Sequence, residues 1–242
     1  MYSWIRTFGN KRWIAVIITG LFVFTLNVQA QEKGAPKDKK EKNSYAVGVD
    51  MGLGLARQMK ELSIEIDVDM LSQGLRDGYA GKPKLSQEEL RAVLIDLTKD
   101  MQTKQNEKTK ALADKNKQEG EAFLNQNAKA SGVMKLPSGL QYKIIKEGTG
   151  KVPKATDTVL AHYRGTLING TEFDSSFKRN QPTEFKVNGV IPGWTEILQK
   201  MKEGSKYTVY IPSNLAYGER GNGAIIGPNS TLIFEIELVT VK

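Results

Sequence analysis

The chain has 242 residues, of which 35 are basic and 27 acidic, giving a net charge of +8 with 39% apolar content; that is enough for one large or two modest domains with a real core. It has no cysteine and one histidine, His162, which excludes disulfides, thiolate nucleophiles and clustered His/Cys metal sites, so neither a metal nor a cofactor is expected. Its lysines are interspersed with Glu and Asp and form no one-sided basic stripe, so nucleic acid is not an expected partner.

Residues 1–30 read as a secretory signal peptide. Arg6, Lys11 and Arg12 precede the apolar run Trp13 to Leu26, and Val28-Gln29-Ala30 supplies small residues for cleavage. The run is shorter than the roughly 20 residues of a spanning helix, although an uncleaved anchor is the alternative. Cleavage would leave 32 basic and 27 acidic residues, a net charge of +5, and no stable membrane span. Residues 31–43 are a polar segment expected to be flexible.

Helical spacing follows. SYAVGVDMGLGLARQMKEL and VDMLSQGLRDGY read as two short helices, the first with glycines at 48, 52 and 54 that allow close approach of another helix. Ser86 and Glu89 form a capping box, after which Leu90, Val93, Leu94, Leu97 and Met101 share one helical face. From Gln102 to Lys129 the apolar stripe thins, with Gly120 as the only helix breaker. A helix over 87–130, roughly 65 Å long at about 1.5 Å per residue, is expected to act as an arm between domains; a disordered linker is the alternative. Met51, Met59, Met70 and Met101 lie in this region and suit either core packing or an adaptable partner surface. Without the arm, residues 44–101 are too few for a robust core, so a homodimer through this module is expected.

After Pro137 the period changes to two. LQYKIIKEG, TVLAHYRGTL, TEFKV, KYTVYIP and TLIFEIELVTVK read as half-buried antiparallel strands separated by Gly, Pro and Asn turns. One short helix carries Trp194, Ile197, Leu198 and Met201 on its apolar face. Residues 135–242 are therefore expected to form an α+β domain, a curved antiparallel sheet wrapped on one short helix. His162, in an apolar strand-like run, reads as a structural histidine or as the base of a Ser-His pair.

HYRGTLINGTEFDSSFKRNQP, VIPGWTEILQKMKEGSKYTVYIPSNLAYG and GPNSTLIFEIELVTV, spaced motifs in order, closely resemble the FKBP class of peptidyl-prolyl cis-trans isomerases. The N-terminal half is similar to the macrophage infectivity potentiator subgroup and its periplasmic relatives, which are dimers with chaperone activity. The resemblance implies a proline pocket floored by Trp194 and walled by Tyr163, Phe173, Phe234, Val190 and Ile191. It implies hydrogen bonds to substrate from the Tyr217 hydroxyl and the Ile191 backbone N–H, with Ile226 bordering the cleft. Asp174 would lie at the rim, held by Tyr163 and Arg179, because a buried unpaired carboxylate is costly.

Rotation about an X-Pro amide needs no nucleophile, metal or cofactor, only better binding of the twisted than of the planar amide. Thr183, Asn222 and Leu215 depart from the best-known single-domain members, which bears on macrolide inhibitors of the rapamycin and tacrolimus type. The implied function is a periplasmic isomerase assisting folding of proline-containing or unfolded client proteins, with outer-membrane or surface association in some relatives. The alternatives are a holdase chaperone and a surface-exposed virulence or adhesion factor, each with secondary isomerase activity.

Overall fold

A computed structural model describes residues 34–242; the signal-peptide reading of residues 1–30 lies outside them. The described residues divide into two units, residues 34–57 and 58–242. The first includes most of helix α1 (Lys39–Leu62), which begins inside the segment expected to be flexible. Tyr45, Val47, Met51 and Leu53 are exposed on it, and among the described residues nothing lies within 4 Å of a Cβ built at Gly48, Gly52 or Gly54.

In the second unit, α2 (Val68–Tyr79) has the bounds its sequence suggests. The Asp67 carboxylate caps it, accepting from the Asp69 and Met70 backbone N–H groups at 2.9 and 3.0 Å. Helix α3 (Gln87–Asn127) starts at the expected capping box. The Ser86 hydroxyl accepts from the Glu89 N–H at 3.2 Å and the Ser86 N–H donates to the Glu89 carboxylate at 2.8 Å. No helix of the described residues is long and apolar enough to cross a membrane.

Seven strands make one antiparallel sheet: β1 (Val133–Lys135), β2 (Gln141–Lys146), β3 (Thr158–Leu167), β4 (Glu172–Ser175), β5 (Thr183–Lys186), β6 (Lys206–Ile211) and β7 (Leu232–Val241). The order is β1-β2-β6-β7-β3-β4, and β5 pairs with the first half of β3. Alternation does what the sequence suggests. Val159, Ala161 and Tyr163 on β3, Val209 and Ile211 on β6, and Phe234, Ile236 and Leu238 on β7 face one core. Helix α4 (Pro192–Leu198) lays Trp194, Ile197 and Leu198 against it, while Met201, the last residue of the expected helical stripe, is buried just beyond the helix end. Strands β1 and β4, of three and four residues, were not among the runs read as strands from the sequence.

The expectation that α3 is an arm polar on every side fails for its second half. Leu112, Asn116, Gly120, Phe123 and Asn127 fall at intervals of three or four and all meet the sheet domain. The Phe123 ring lies 5.9 Å from that of Tyr210. The Asn127 amide donates to Gln141 Oε1 at 2.9 Å and Gln141 Nε2 donates to the Leu124 carbonyl at 2.8 Å. A Cβ at Gly120 would sit 2.4 Å from Thr231 Oγ1, so glycine there is what lets the helix come so close. Hydropathy could not show this stripe, because its contacts are made largely by amides and a missing side chain.

Candidate proline-binding site

The site begins with β3 and its outer neighbour. Register across β3 and β4 runs Arg164 to Ser175 and Gly165 to Asp174, then jumps to Thr166 opposite Glu172. Phe173 is thus the extra residue of a β-bulge, a device that bends a strand and re-aims side chains. In a regular strand Phe173 and Asp174 would point to opposite faces; here both line the same cavity. Gly165 gives the bulge its space, since a Cβ there would lie 2.4 Å from Phe173 Cε2 and 2.8 Å from Phe234 Cε1.

Trp194 stands at the centre of an edge-to-face aromatic cage. Its ring centroid is 5.5 Å from that of Tyr163, 5.2 Å from Phe185 and 5.3 Å from Phe234, with interplanar angles of 86°, 64° and 85°. Phe173 meets Phe234 edge-on at 5.5 Å and 80°. Such pairs add about 0.5–1.5 kcal/mol beyond area burial and fix ring orientation. Trp194 comes from the first turn of α4, and Gly193 beside it is required because a Cβ would meet Ile211 Cγ2 at 2.5 Å. The indole N–H of Trp194 is buried without an acceptor among the described residues.

Above the cage opens a cavity of about 720 Å³, lined also by Val190, Ile191, Tyr217, Ile226 and the 222–225 loop. Small-molecule pockets run to about 300–1,000 Å³. At its rim, the Tyr163 hydroxyl donates to Asp174 Oδ2 at 2.5 Å, Arg179 Nη1 donates to Oδ1 at 2.7 Å, and Arg179 Nη2 donates to the Tyr163 oxygen at 2.9 Å. Burial opposes ionisation of Asp174, but the bonds from Tyr163 and Arg179 and the guanidinium charge outweigh it, holding the carboxyl below its ordinary range. Burial first, and the Asp174 partner second, push the Tyr163 phenol up against the opposing influence of Arg179.

Nine of the ten residues expected at the pocket line this cavity; Arg179 does not, and reaches it through Asp174 and Tyr163. Of the three departures, Asn222 lines it, whereas Thr183 and Leu215 lie outside the lining. Sequence reasoning missed Phe185, although the alternation of TEFK, which puts Thr183 and Phe185 on one face, carried the signal. The loop residues Gly223, Ala224 and Ile225 were also missed, and no periodicity marks them.

His162 supports no nucleophile. Its Nδ1 lies 3.1 Å from Ser176 Oγ, but that hydroxyl is fully buried, accepts from the Tyr163 N–H at 2.7 Å and donates to the Tyr163 carbonyl at 3.2 Å. With the imidazole stacked on Phe177 at 4.9 Å, the pair ties β3 to the turn after β4. The structural reading of His162 holds.

Comparison with known proteins agrees with this geometry. Residues 150–239 match the FKBP-type peptidyl-prolyl cis-trans isomerase family, and residues 40–144 match the domain amino terminal to FKBP-type peptidyl-prolyl isomerase. The chain is 44% identical to "Outer membrane protein MIP" of Legionella longbeachae over 96% of its own length and 98% of that protein's. It is 40% identical to the FKBP-type peptidyl-prolyl cis-trans isomerase FkpA of Escherichia coli (strain K12), covering 88% of this chain and 80% of that one. The crystal structure of FkpA from Escherichia coli superposes with a TM-score of 0.71 at 40% identity, over 86% of this chain and 99% of that chain. A bulged strand beside an aromatic cage, on an antiparallel sheet that holds one short helix, thus has a family: the chain belongs to the FKBP-type peptidyl-prolyl cis-trans isomerases.

Proposed function

We propose that the cavity over Trp194 receives the proline ring of an X-Pro segment and accelerates amide rotation without covalent chemistry. The carrying observation is the cage itself, three rings set edge-on around one indole beside an ionised carboxylate. A planar X-Pro amide keeps its resonance and meets a barrier of about 18–20 kcal/mol to rotation. On twisting, the carbonyl oxygen loses negative charge and its need for water. An apolar cage then favours the twisted form over the planar one, which is catalysis by differential binding.

The polar groups at the rim fit the same logic. Asp174, fixed and kept ionised by Tyr163 and Arg179, would repel a carbonyl at full resonance more than a twisted one. The Tyr217 hydroxyl and the Ile191 N–H, neither with a partner among the described residues, can hold substrate carbonyls while the proline amide turns. Arg179 is a positioning residue here, since it touches Asp174 and Tyr163 and does not line the cavity. The test is proton-exchange or protease-coupled isomerisation of an X-Pro peptide. Tyr217→Phe and Asp174→Ala should each lower kcat/KM in a folded protein, and wild-type turnover in both sinks the assignment.

The physiological setting is inferred from the rest of the chain. Apolar side chains, among them Leu71 and Leu75 on α2 and Val93, Leu94 and Ile95 on α3, are left uncovered by the described residues. Rows of that kind call for a partner. A homodimer through the N-terminal helices is the proposed arrangement, and Leu94→Asp in the mature chain should yield monomers by sedimentation. Two linked isomerase domains could then hold one proline-containing client at several points and gain avidity. The same apolar rows favour a second reading in which client holding is the main activity.

Export to the periplasm, with association at the outer membrane suggested by the name of the Legionella relative, completes the proposal. Macrolides of the rapamycin and tacrolimus type would enter the same cavity, with Asn222 at its edge altering the fit.

A further inference from the structure

The loop that closes one side of the cavity is not held by the sheet domain alone. Its inner surface, Asn222 to Ile226, lines the cavity, and its ends are paired by the Asn222 N–H donating to the Ile226 carbonyl at 2.7 Å. Directly after it, the segment Gly227–Ser230 turns outward and meets helix α3. The Asn116 amide donates to the Pro228 carbonyl at 2.7 Å, and Asn229 Nδ2 donates to the Ala113 carbonyl at 3.4 Å. Gly227 is in contact as well, since a Cβ there would lie 3.1 Å from Asn116 Nδ2 and 3.3 Å from Leu112 Cδ2. From the same segment, the Asn229 N–H donates to the Gly218 carbonyl at 2.8 Å, one residue after Tyr217.

We propose that Asn116 is a positioning residue for the isomerase pocket: α3, through its amide bond to Pro228, sets both the 222–226 wall and the Tyr217 turn, and so tunes which residues before proline are accepted. The physical case is one of alternatives. Asn180, Asn229 and Ser63 are the only non-glycine residues at positive φ among the described residues, so Asn229 holds a backbone shape that few residues adopt. A turn of that kind, with Gly218, Gly221 and Gly223 also at positive φ nearby, is only partly fixed by its own bonds, the Asn222–Ile226 pair and the Ser230 hydroxyl donating to the Gly227 carbonyl at 2.8 Å. Its anchors outside itself are the bonds to α3 and to Gly218. Without the Asn116 amide, the Pro228 carbonyl can satisfy itself with water, and the wall gains freedom on its cavity side. With the proline ring over Trp194, the substrate residue before it would lie nearer the outer part of the cavity, where a mobile wall alters discrimination more than it alters the cage.

The inference rests on reading the cavity as the proline site, and the experiment separates the two. In the full mature chain, kcat/KM is measured for a set of short X-Pro peptides with X varied over Ala, Leu, Phe and Glu. Asn116→Ala and the near-isosteric Asn116→Asp, which points a carboxylate at a carbonyl, should change the ratio between best and worst X by about three- to tenfold, the range of a lost hydrogen bond or of coupling through one packed residue. Asn127→Ala, which breaks α3 docking at Gln141 away from the loop, serves as the control for a merely structural loss and should leave the ratio unchanged. An unchanged ratio in both Asn116 variants, or an equal change in Asn127→Ala, overturns the proposal. If Tyr217→Phe and Asp174→Ala also keep wild-type activity, the proline-site reading fails with it; if those two lose activity, only the role of Asn116 is lost.

Discussion

The Tyr163 hydroxyl and the Asp174 carboxylate meet at 2.5 Å, joining a strand whose side chain points into the core to a bulged strand whose side chain would otherwise point to water. That bond does two things at once. It seats Tyr163 edge-on against Trp194, and it leaves Asp174 ionised at the edge of an apolar cavity. Arg179 closes the triangle from the turn after β4.

The pH dependence follows from the sign of the shift. Asp174 titrates below its ordinary value of 3.8, so its contribution to stability is complete above that value and is lost as pH falls through the lowered one. Tyr163 titrates above 10.0 and keeps its proton throughout the neutral range. Wild-type activity should therefore be level with respect to this pair from about pH 5 to pH 9. In Arg179→Ala the carboxyl keeps its burial but loses a charged donor, and its midpoint moves up. Carbon-detected NMR titration of the Asp174 carboxyl in both proteins checks this; identical midpoints would refute the account of how the carboxylate is held.

Gly165→Ala tests whether the bulge and the cage are one device. The added methyl meets Phe173 and Phe234 inside 3 Å, and Phe173, half-buried, has the easier escape. Overpacking of this kind costs about 1–3 kcal/mol. Activity on X-Pro peptides should fall further than thermal stability, because the ring displaced is a cavity wall. A variant with unchanged kcat/KM and a lowered melting point would show that Phe173 is core and not wall.

How much of this was legible in the sequence depends on the length of the pattern that carried it. Strand β3 and helix α2 were read to the residue because ten and twelve positions of clean alternation or helical spacing identify their own ends. The cage was legible in part through the family resemblance, since HYRGT, GWTEIL and TLIFEIEL carry Tyr163, Trp194 and Phe234, whereas Phe185 was missed. The bulge at Phe173 was not legible, because four residues of β4 show no period and the irregularity lies in the register with β3. The docking of α3 was missed for a different reason. Asn116, Gly120 and Asn127 are polar or small, so the face they share looks solvated until the surface opposite them is known.

Gly120→Ala sets two magnitudes against each other. In a free helix the change should stabilise by about 1 kcal/mol. Here the new Cβ would lie 2.4 Å from Thr231 Oγ1 and 3.2 Å from Thr231 Cβ, a close contact in the range of the overpacking penalty, about 1–3 kcal/mol. The net expectation is a loss by urea denaturation, and Thr231→Ala introduced together with it should recover part of that loss, a coupling visible in a double-mutant cycle. Stabilisation by the single change would mean that this stretch of α3 is not packed against the domain.

Two truncations decide where the isomerase domain begins. Removing residues 31–101 keeps the half of α3 that carries Leu112 to Asn127, whereas removing residues 31–136 deletes β1 as well as α3, strips Gln141, buried to 1% exposure, of its partners Asn127 and Leu124 and uncovers Tyr210. Each hydrogen bond lost contributes about 0.5–1.5 kcal/mol, and the packing of Phe123 on Tyr210 is lost with them, so the longer deletion should unfold at lower urea concentration and turn over short X-Pro peptides more slowly. The shorter deletion should be monomeric and as active on peptides as the full chain, yet weaker at suppressing aggregation of an unfolded protein. Equal stability and equal peptide turnover in the two would make the contact with α3 energetically empty, and would move the boundary of the functional domain back to the Lys135–Gly139 junction that the sequence alone suggests.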